Sequence, residues 1–359
     1  MAIARDFGLV VGRSEPGPYN AITDVPGLTV GHWNVRGDGV FTGVTAVLPH
    51  GGDLFRQKVR AAVEVINGFG KSAGLTQIAE LGTIETPILL TNTFGVAPCV
   101  DALIDRAIAA NPQIGRSTST VNAVVCECND GSINDIQARA VSRQDALGAL
   151  DAAAPGAMQQ GAVGAGSGMT AFGFKAGIGG SSRRMDIGKS SFTIGSLVLA
   201  NFGNAGDLIL PDGRSPNPKA VPVPERGSVI VILATDLPLG DRQLQRVARR
   251  AGVGLARLGA FWGNGSGDIS ICFTTADPVF HISDQPFSAA TRLDDAFIDI
   301  AFRAAAEATQ EAVLNALCAA PAMKGRDDRF YPSLADWLRE HPLPKDSYLP
   351  AGQEPASRP

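Results

Sequence analysis

Between Pro211 and Gly227 the chain reads PDGRSPNPKAVPVPERG, and no regular element can run through it. Its five prolines, at 211, 216, 218, 222 and 224, each fix φ and remove a backbone donor. Neither a helix nor an interior strand survives such a run. The segment reads as an exposed connection. Directly behind it stands SVIVILATD, in which six strand-forming residues follow Ser228. Any fold for this chain must therefore set a solvent-facing linker immediately before a buried strand, with Gly227–Ser228 as the joint.

Strand-like and helix-like stretches are mixed on both sides of that joint. Residues 27–35, 43–48, 86–92, 121–128, 191–201 and 268–275 have strand composition bounded by turn residues. Residues 101–110, 143–154, 241–258 and 293–317 carry apolar residues at helical spacing. No fixed repeat and no regular β-α-β spacing appears, which favours an α+β layered sandwich over a doubly wound sheet. With 359 residues, 45% hydrophobic and 18% charged, there is material for one large multilayer domain over 1–359. Residues 211–227 are its exposed linker, and the proline-rich residues 342–359 are a frayed tail.

The charge balance excludes several roles. Thirty-one basic against 35 acidic residues, with no basic run, argue against nucleic acid as a partner. No apolar run reaches the ~18 residues of a membrane span. The short apolar stretch at residues 7–11 lacks the features of a secretory signal. Five scattered cysteines include one close pair, Cys126-x-Cys128, whose thiols share one face of a strand. Without a second pair or a nearby histidine no metal site is expected, and reduced, buried thiols suit a cytoplasmic protein.

Four histidines, His32, His50, His281 and His341, stand alone, so a histidine-based triad has little to draw on. The glycine-dense stretch 161–180 contains G-x-G-x-G but lacks the G-x-G-x-x-G spacing of a dinucleotide fingerprint. Close backbone packing explains those glycines as well, and no cofactor is expected. Ser228 offers a different chemistry. Were the Gly227–Ser228 bond cut, one residue would carry a hydroxyl and an α-amine of pKa ~7.7–8.0, a nucleophile beside its own base. On these residues alone, an ordinary loop serine is the favoured reading, since Gly-Ser before a strand is common.

A longer pattern bears on that choice. Asn20-Ala-Ile-Thr-Asp-Val25, Gly27-Leu-Thr-Val-Gly-His32 and Gly43-Val-Thr-Ala46 resemble the N-terminal signature of the L-aminopeptidase/D-esterase family, which includes the β-peptidyl aminopeptidases. Leu90–Thr93, Glu127–Asp130, Asn134-Asp135 and Gly161–Arg183 continue the likeness. So do Gly227–Val231, Ala234–Asp236, Gly265–Asp268, Glu307–Thr309 and Glu311–Asn315, all in order. The resemblance implies a four-layer α/β/β/α sandwich, similar to the N-terminal-nucleophile hydrolases but with its own connectivity. It implies self-cleavage into an α chain 1–227 and a β chain 228–359, and a homo-oligomer, a tetramer of αβ units.

By the same likeness Ser228 is the nucleophile, Ser266 and Asp268 are the pair that assists it, and Asn201 donates to the oxyanion. Glu127 is the acid near the substrate's free amine. The expected substrates are short peptides, amides or esters with a free N-terminal amine. The chain departs from some family members at Asn129, two residues after Glu127, where those carry a tyrosine; their substrate preference is not carried over. Two rival readings are an acyltransferase of the ornithine-acetyltransferase type, which uses threonine as nucleophile, and an uncleaved binding protein.

Overall fold

A computed structural model describes residues 2–218 and 227–343. Residues 219–226 of the expected linker and 344–359 of the expected tail lie outside the described residues. The strands are β1 (Thr29–Gly37), β2 (Val40–Leu48), β3 (Gln57–Gly68), β4 (Thr83–Ile84), β5 (Ile88–Asn92), β6 (Val124–Cys128), β7 (Thr170–Ala171), β8 (Phe174–Lys175), β9 (Ile178–Ile187), β10 (Ser190–Asn201), β11 (Ser228–Thr235), β12 (Gly267–Phe280), β13 (Met323–Lys324) and β14 (Phe330–Tyr331). The helices are α1 (Leu75–Leu81), α2 (Val96–Ala110), α3 (Arg143–Asp151), α4 (Asp241–Ala248), α5 (Ala251–Ala256), α6 (Asp299–Cys318) and α7 (Leu334–Glu340).

Two sheets form the centre. One has the order β1-β2-β5-β6, the other β4-β3-β12-β11-β10-β9. Alternation along β11 explains why they stack. Ile230 and Ile232 face β1, β2, β5 and β6, while Val229, Val231 and Leu233 face α4, α5 and α6. The outer face of the four-stranded sheet buries Val44, Ala46, Leu89 and Val125 against Cys99, Ala102 and Leu103 of α2 and Ala146, Ala149 and Leu150 of α3. The result is four layers, α/β/β/α, as expected. Within the larger sheet β11 and β12 run parallel, and the remaining pairs are antiparallel.

Two helices differ from the sequence expectation. The stretch 241–258 is broken into α4 and α5, and Gly252 and Gly254 just past the break lower the helix propensity there. The long helix begins at Asp299 rather than 293, because Asp294 instead caps a 3-10 turn, accepting from the Ala296 amide at 2.8 Å. All five cysteines are buried and free. Among the described residues no helix is long and apolar enough to cross a membrane, and no group of His, Cys, Asp or Glu is arranged to hold a metal ion.

His32 on β1 supplies a test of the core's pH sensitivity. Its Nδ1 lies 3.0 Å from the Thr45 hydroxyl, and its Nε2 is enclosed. Burial pulls its pKa down to about 4. The unfolded chain binds the proton near pH 6.5 and the folded one only near 4, so stability drops as pH falls through that window. A His32→Gln variant is expected to show a flatter fall in unfolding temperature between pH 6.5 and 4. Parallel profiles for the two proteins would remove His32 from the account.

Candidate active site

Ser228 is the first residue of β11, and its neighbours follow from strand register. Across the antiparallel ladder it sits opposite Asn201, the last residue of β10; across the parallel ladder it sits opposite Gly267, the first residue of β12. The Ser228 side chain is 4% exposed. Its hydroxyl donates to the Gly227 carbonyl at 2.8 Å and accepts from the Gly267 amide at 3.2 Å. Three strand ends thus meet around one hydroxyl.

Ser266 and Asp268 flank Gly267, and both are fully buried. The Ser266 hydroxyl donates to Asp268 Oδ1 at 2.7 Å, as expected for residues two apart on extended chain. Between them, the Gly267 amide supplies a hydrogen bond to Ser228 Oγ. The turn before β12 is held by Asn67, whose Nδ2 donates to the carbonyls of Gly263 (3.0 Å) and Ser266.

Asn201 has both ends of its amide engaged. Oδ1 accepts from the Thr170 amide at 3.1 Å, and Nδ2 donates to the Asn129 carbonyl at 2.9 Å. Exchanging O and N would oppose donor to donor and acceptor to acceptor, so the orientation is determined. Directly opposite in the ladder, Asn201 and Ser228 share one face of the sheet, and Asn201 Nδ2 carries a second N–H.

Glu127 is the penultimate residue of β6 and is 2% exposed. Its carboxylate accepts from the Lys71 amide at 2.8 Å and from the Thr93 hydroxyl. The turn Phe69–Lys71 joins it to the rest of the site. Phe69 N–H donates to the Ser266 carbonyl at 3.3 Å, and Gly70 backbone atoms lie 3.0 Å from where a Cβ on Gly267 would stand. Asn129 is exposed; its Oδ1 accepts from the Gly131 amide, and only its carbonyl reaches Asn201. The backbone at 129 thereby joins the site through Asn201, and the Asn129 side chain stands exposed beside it.

Sequence reasoning missed Asn67, Gly70, Lys71, Thr93, Thr170 and Gly267. Most of these act through backbone groups, which leave no side-chain signal. Thr93, Thr170 and Gly267 lie inside stretches already singled out, Leu90–Thr93, Gly161–Arg183 and Gly265–Asp268, and the Thr93 hydroxyl could have been suspected.

The match to known proteins is extensive. The model of peptidase family S58 fits residues 20–331. The chain belongs to peptidase family S58. This family member is 37% identical over 350 residues to a β-peptidyl aminopeptidase, BapA, of Sphingosinicella microcystinivorans, covering 90% of this chain and 87% of that protein. Among solved structures it resembles the PH0078 protein from Pyrococcus horikoshii OT3, with a TM-score of 0.87, 44% identity, and coverage of 94% of this chain and 98% of that one. The L-aminopeptidase D-Ala-esterase/amidase from Ochrobactrum anthropi matches with a TM-score of 0.86 and 37% identity, covering 95% and 99%. That enzyme is described as a prototype for the serine aminopeptidases with a new variant of the Ntn hydrolase fold. The S58 chain thus shares both the fold and the aminopeptidase family expected from its motifs.

Proposed function

We propose that this S58 peptidase cuts its own chain between Gly227 and Ser228 and then works as an N-terminal-serine aminopeptidase, amidase and esterase. The observation that carries the reading is the hydrogen bond from Ser228 Oγ to the Gly227 carbonyl, the group that self-cleavage must attack. In that step Oγ adds to the Gly227 carbonyl carbon, its proton passes to the departing Ser228 nitrogen, and the resulting ester is hydrolysed by water. Ser228 is then left with a free α-amine. With a pKa of ~7.7–8.0 unperturbed, that amine removes the Oγ proton in the next attack.

Substrate follows the same path. Its N-terminal ammonium pairs with the Glu127 carboxylate, Ser228 Oγ attacks the scissile carbonyl, and the second N–H of Asn201 receives the developing oxyanion. The amine returns the proton to the leaving group, and water resolves the acyl-enzyme. The Asp268–Ser266 pair stabilises the protonated amine through its negative charge and hydrogen bond. Suitable substrates are short peptides, amides and esters of α- or β-amino acids with a free amine. An aminopeptidase rather than an endopeptidase results, because a buried carboxylate rewards a cationic end.

The first test is the intact mass of the purified protein, with the N-terminal residue of the smaller species. Two fragments of about 23.5 and 13.7 kDa, the second beginning at Ser228, are expected from the 37.2-kDa chain. A folded chain that stays at 37.2 kDa overturns the reading.

Gly227 adds a stricter expectation. A Cβ there would lie 2.0 Å from the Asn201 carbonyl oxygen and 2.8 Å from Phe202 Cα, backbone atoms at and just past the end of β10. Gly227→Ala is therefore expected to push the scissile carbonyl away from Oγ and slow self-cleavage by about 10²-fold. Accumulation of the uncut species over hours of expression checks this, and normal cleavage would show that the joint can shift without cost.

A further inference from the structure

The glycine-dense stretch 161–180 contains a charged residue that the chemistry above does not use. Lys175 is wholly buried. Its Nζ donates to the carbonyls of Gly166 (3.1 Å), Met169 (2.9 Å) and Ala176. Three acceptors match the three N–H bonds of an ammonium group. The loop they belong to has no spare room, since a Cβ on Gly166 would come within 2.5 Å of Ile178 N, and one on Gly168 within 2.5 Å of the Phe41 carbonyl oxygen. The Gly166 and Met169 carbonyls also accept from the Met169 (3.3 Å) and Ala176 (3.0 Å) amides, so what the ammonium adds is the one donor group shared by all three carbonyls.

The loop leads into the site. Residue 170 follows Met169 and pairs with Lys175 itself across the β7–β8 hairpin. The Thr170 amide is the donor that holds Asn201 Oδ1 at 3.1 Å. Two residues on, the Phe172 amide donates to the Phe202 carbonyl at 3.0 Å, so the hairpin is tied to the same strand end twice. A side chain that locks Met169 therefore locks the group that orients the oxyanion donor.

We propose that Lys175 is a positioning residue for acyl transfer: by drawing the Gly166, Met169 and Ala176 carbonyls together it sets the Thr170 amide against Asn201 and so aims the second Asn201 N–H at the oxyanion. The proposal rests on the role of Asn201 given above. Nearby charges show why the group is unusual: burial, then Arg36, lower the Lys175 pKa to about 7, while Asp130 works the other way. An apolar side chain of similar length would avoid that cost, and the loop instead keeps a group that can satisfy three carbonyls at once.

The test is a double-mutant cycle on kcat and KM for an aminoacyl p-nitroanilide, normalised to the cut fraction read by intact mass. Asn201→Ala is expected to lower kcat by about 10²–10³-fold. Lys175→Met is expected to lower kcat by about 10–10²-fold with KM nearly unchanged. The double variant is expected to be within about threefold of Asn201→Ala alone, because the lysine acts through the asparagine. Thr170→Pro deletes the same amide donor while leaving Lys175 in place. Met169, with φ −91° and ψ 150°, already has the extended backbone that a following proline requires.

Thr170→Pro is expected to reproduce the kcat loss, and its cycle with Asn201→Ala decides the matter if Lys175→Met fails to fold. Multiplying losses in the double variants, a loss confined to KM, or wild-type kcat in Thr170→Pro would each overturn the proposal. Wild-type kcat in Asn201→Ala would instead sink the oxyanion role on which it rests.

Discussion

Hydrolysis of a short peptide amide by a Ser228→Ala variant is expected to fall by about 10⁴-fold or more. The same substitution is expected to leave the chain uncut at 37.2 kDa. One atom accounts for both results, because the Oγ that would open the Gly227 carbonyl is the Oγ that would attack substrate. Folding is expected to survive, since β11 keeps its apolar faces and Asn201 keeps Thr170 and Asn129 as partners. Intact mass, peptide turnover and thermal melting on one preparation check the three parts. A Ser228→Ala protein that still cuts itself would assign the nucleophile to another group. Ser228→Thr is a finer probe. It retains the hydroxyl but adds a methyl at a position 4% exposed, so cleavage is expected to be slowed rather than lost.

A second large effect lies far from the reaction. Glu311 on α6 is fully buried and lies 2.6 Å from Arg183 Nη2, 2.6 Å from Arg5 Nε and 2.6 Å from Asn20 Nδ2. Burial by itself raises a carboxyl pKa; here the hydrogen bond and charge of Arg5 and the charge of Arg183 overcome it, and the Glu311 pKa ends below its usual value. Arg183, equally buried, also donates to the Ser182 and Val11 carbonyls at 2.7 and 2.9 Å. Glu311→Gln keeps the shape and removes the charge that two guanidinium groups share.

Leaving a buried charge wholly without a partner typically costs ~3–5 kcal/mol; Arg183 Nε keeps Glu307 Oε2 at 3.5 Å, so Glu311→Gln is expected at the lower end of that range. The urea midpoint reads it. Asp105→Asn, which removes one of two acidic partners of the half-exposed Arg143, is the control and is expected to change stability by less than about 1 kcal/mol. Equal effects from the two variants would mean that Arg5 and Arg183 find other partners. Because the folded-state pKa of Glu311 is depressed, its contribution is present above the ordinary glutamate range and is lost as pH falls through the lowered value.

Much of this was legible in the chain, for identifiable reasons. The strand at 228–235 announced itself because all its residues are buried, so its composition is uniformly strand-forming. The Ser266–Asp268 contact followed from the two-residue period of extended backbone. By contrast β9 carries Ser181, Ser182 and Arg183 in the interior, and polar residues inside a strand defeat any reading based on apolar alternation. β3 escaped notice as well, since Lys58, Arg60 and Glu64 interrupt its apolar residues. The parallel pairing of β11 with β12 joins segments 39 residues apart and leaves no local trace, yet it is what puts Gly267 on Ser228. The grip on Glu127 was equally hidden, because half of it is the Lys71 backbone amide.

The order of the larger sheet carries a consequence for a molecule in two pieces. Reading across β4-β3-β12-β11-β10-β9, the only strands from beyond residue 227 are the central two. A cut at that point makes the second piece a wedge, gripped by β3 on one flank and β10 on the other. Pulling it free means unzipping both seams and exposing both faces of the wedge at once. If the proposed cut is made, dilution alone is therefore not expected to dissociate the pair, and a new chain end arises beside the Ser228 hydroxyl without loosening the strands that hold it.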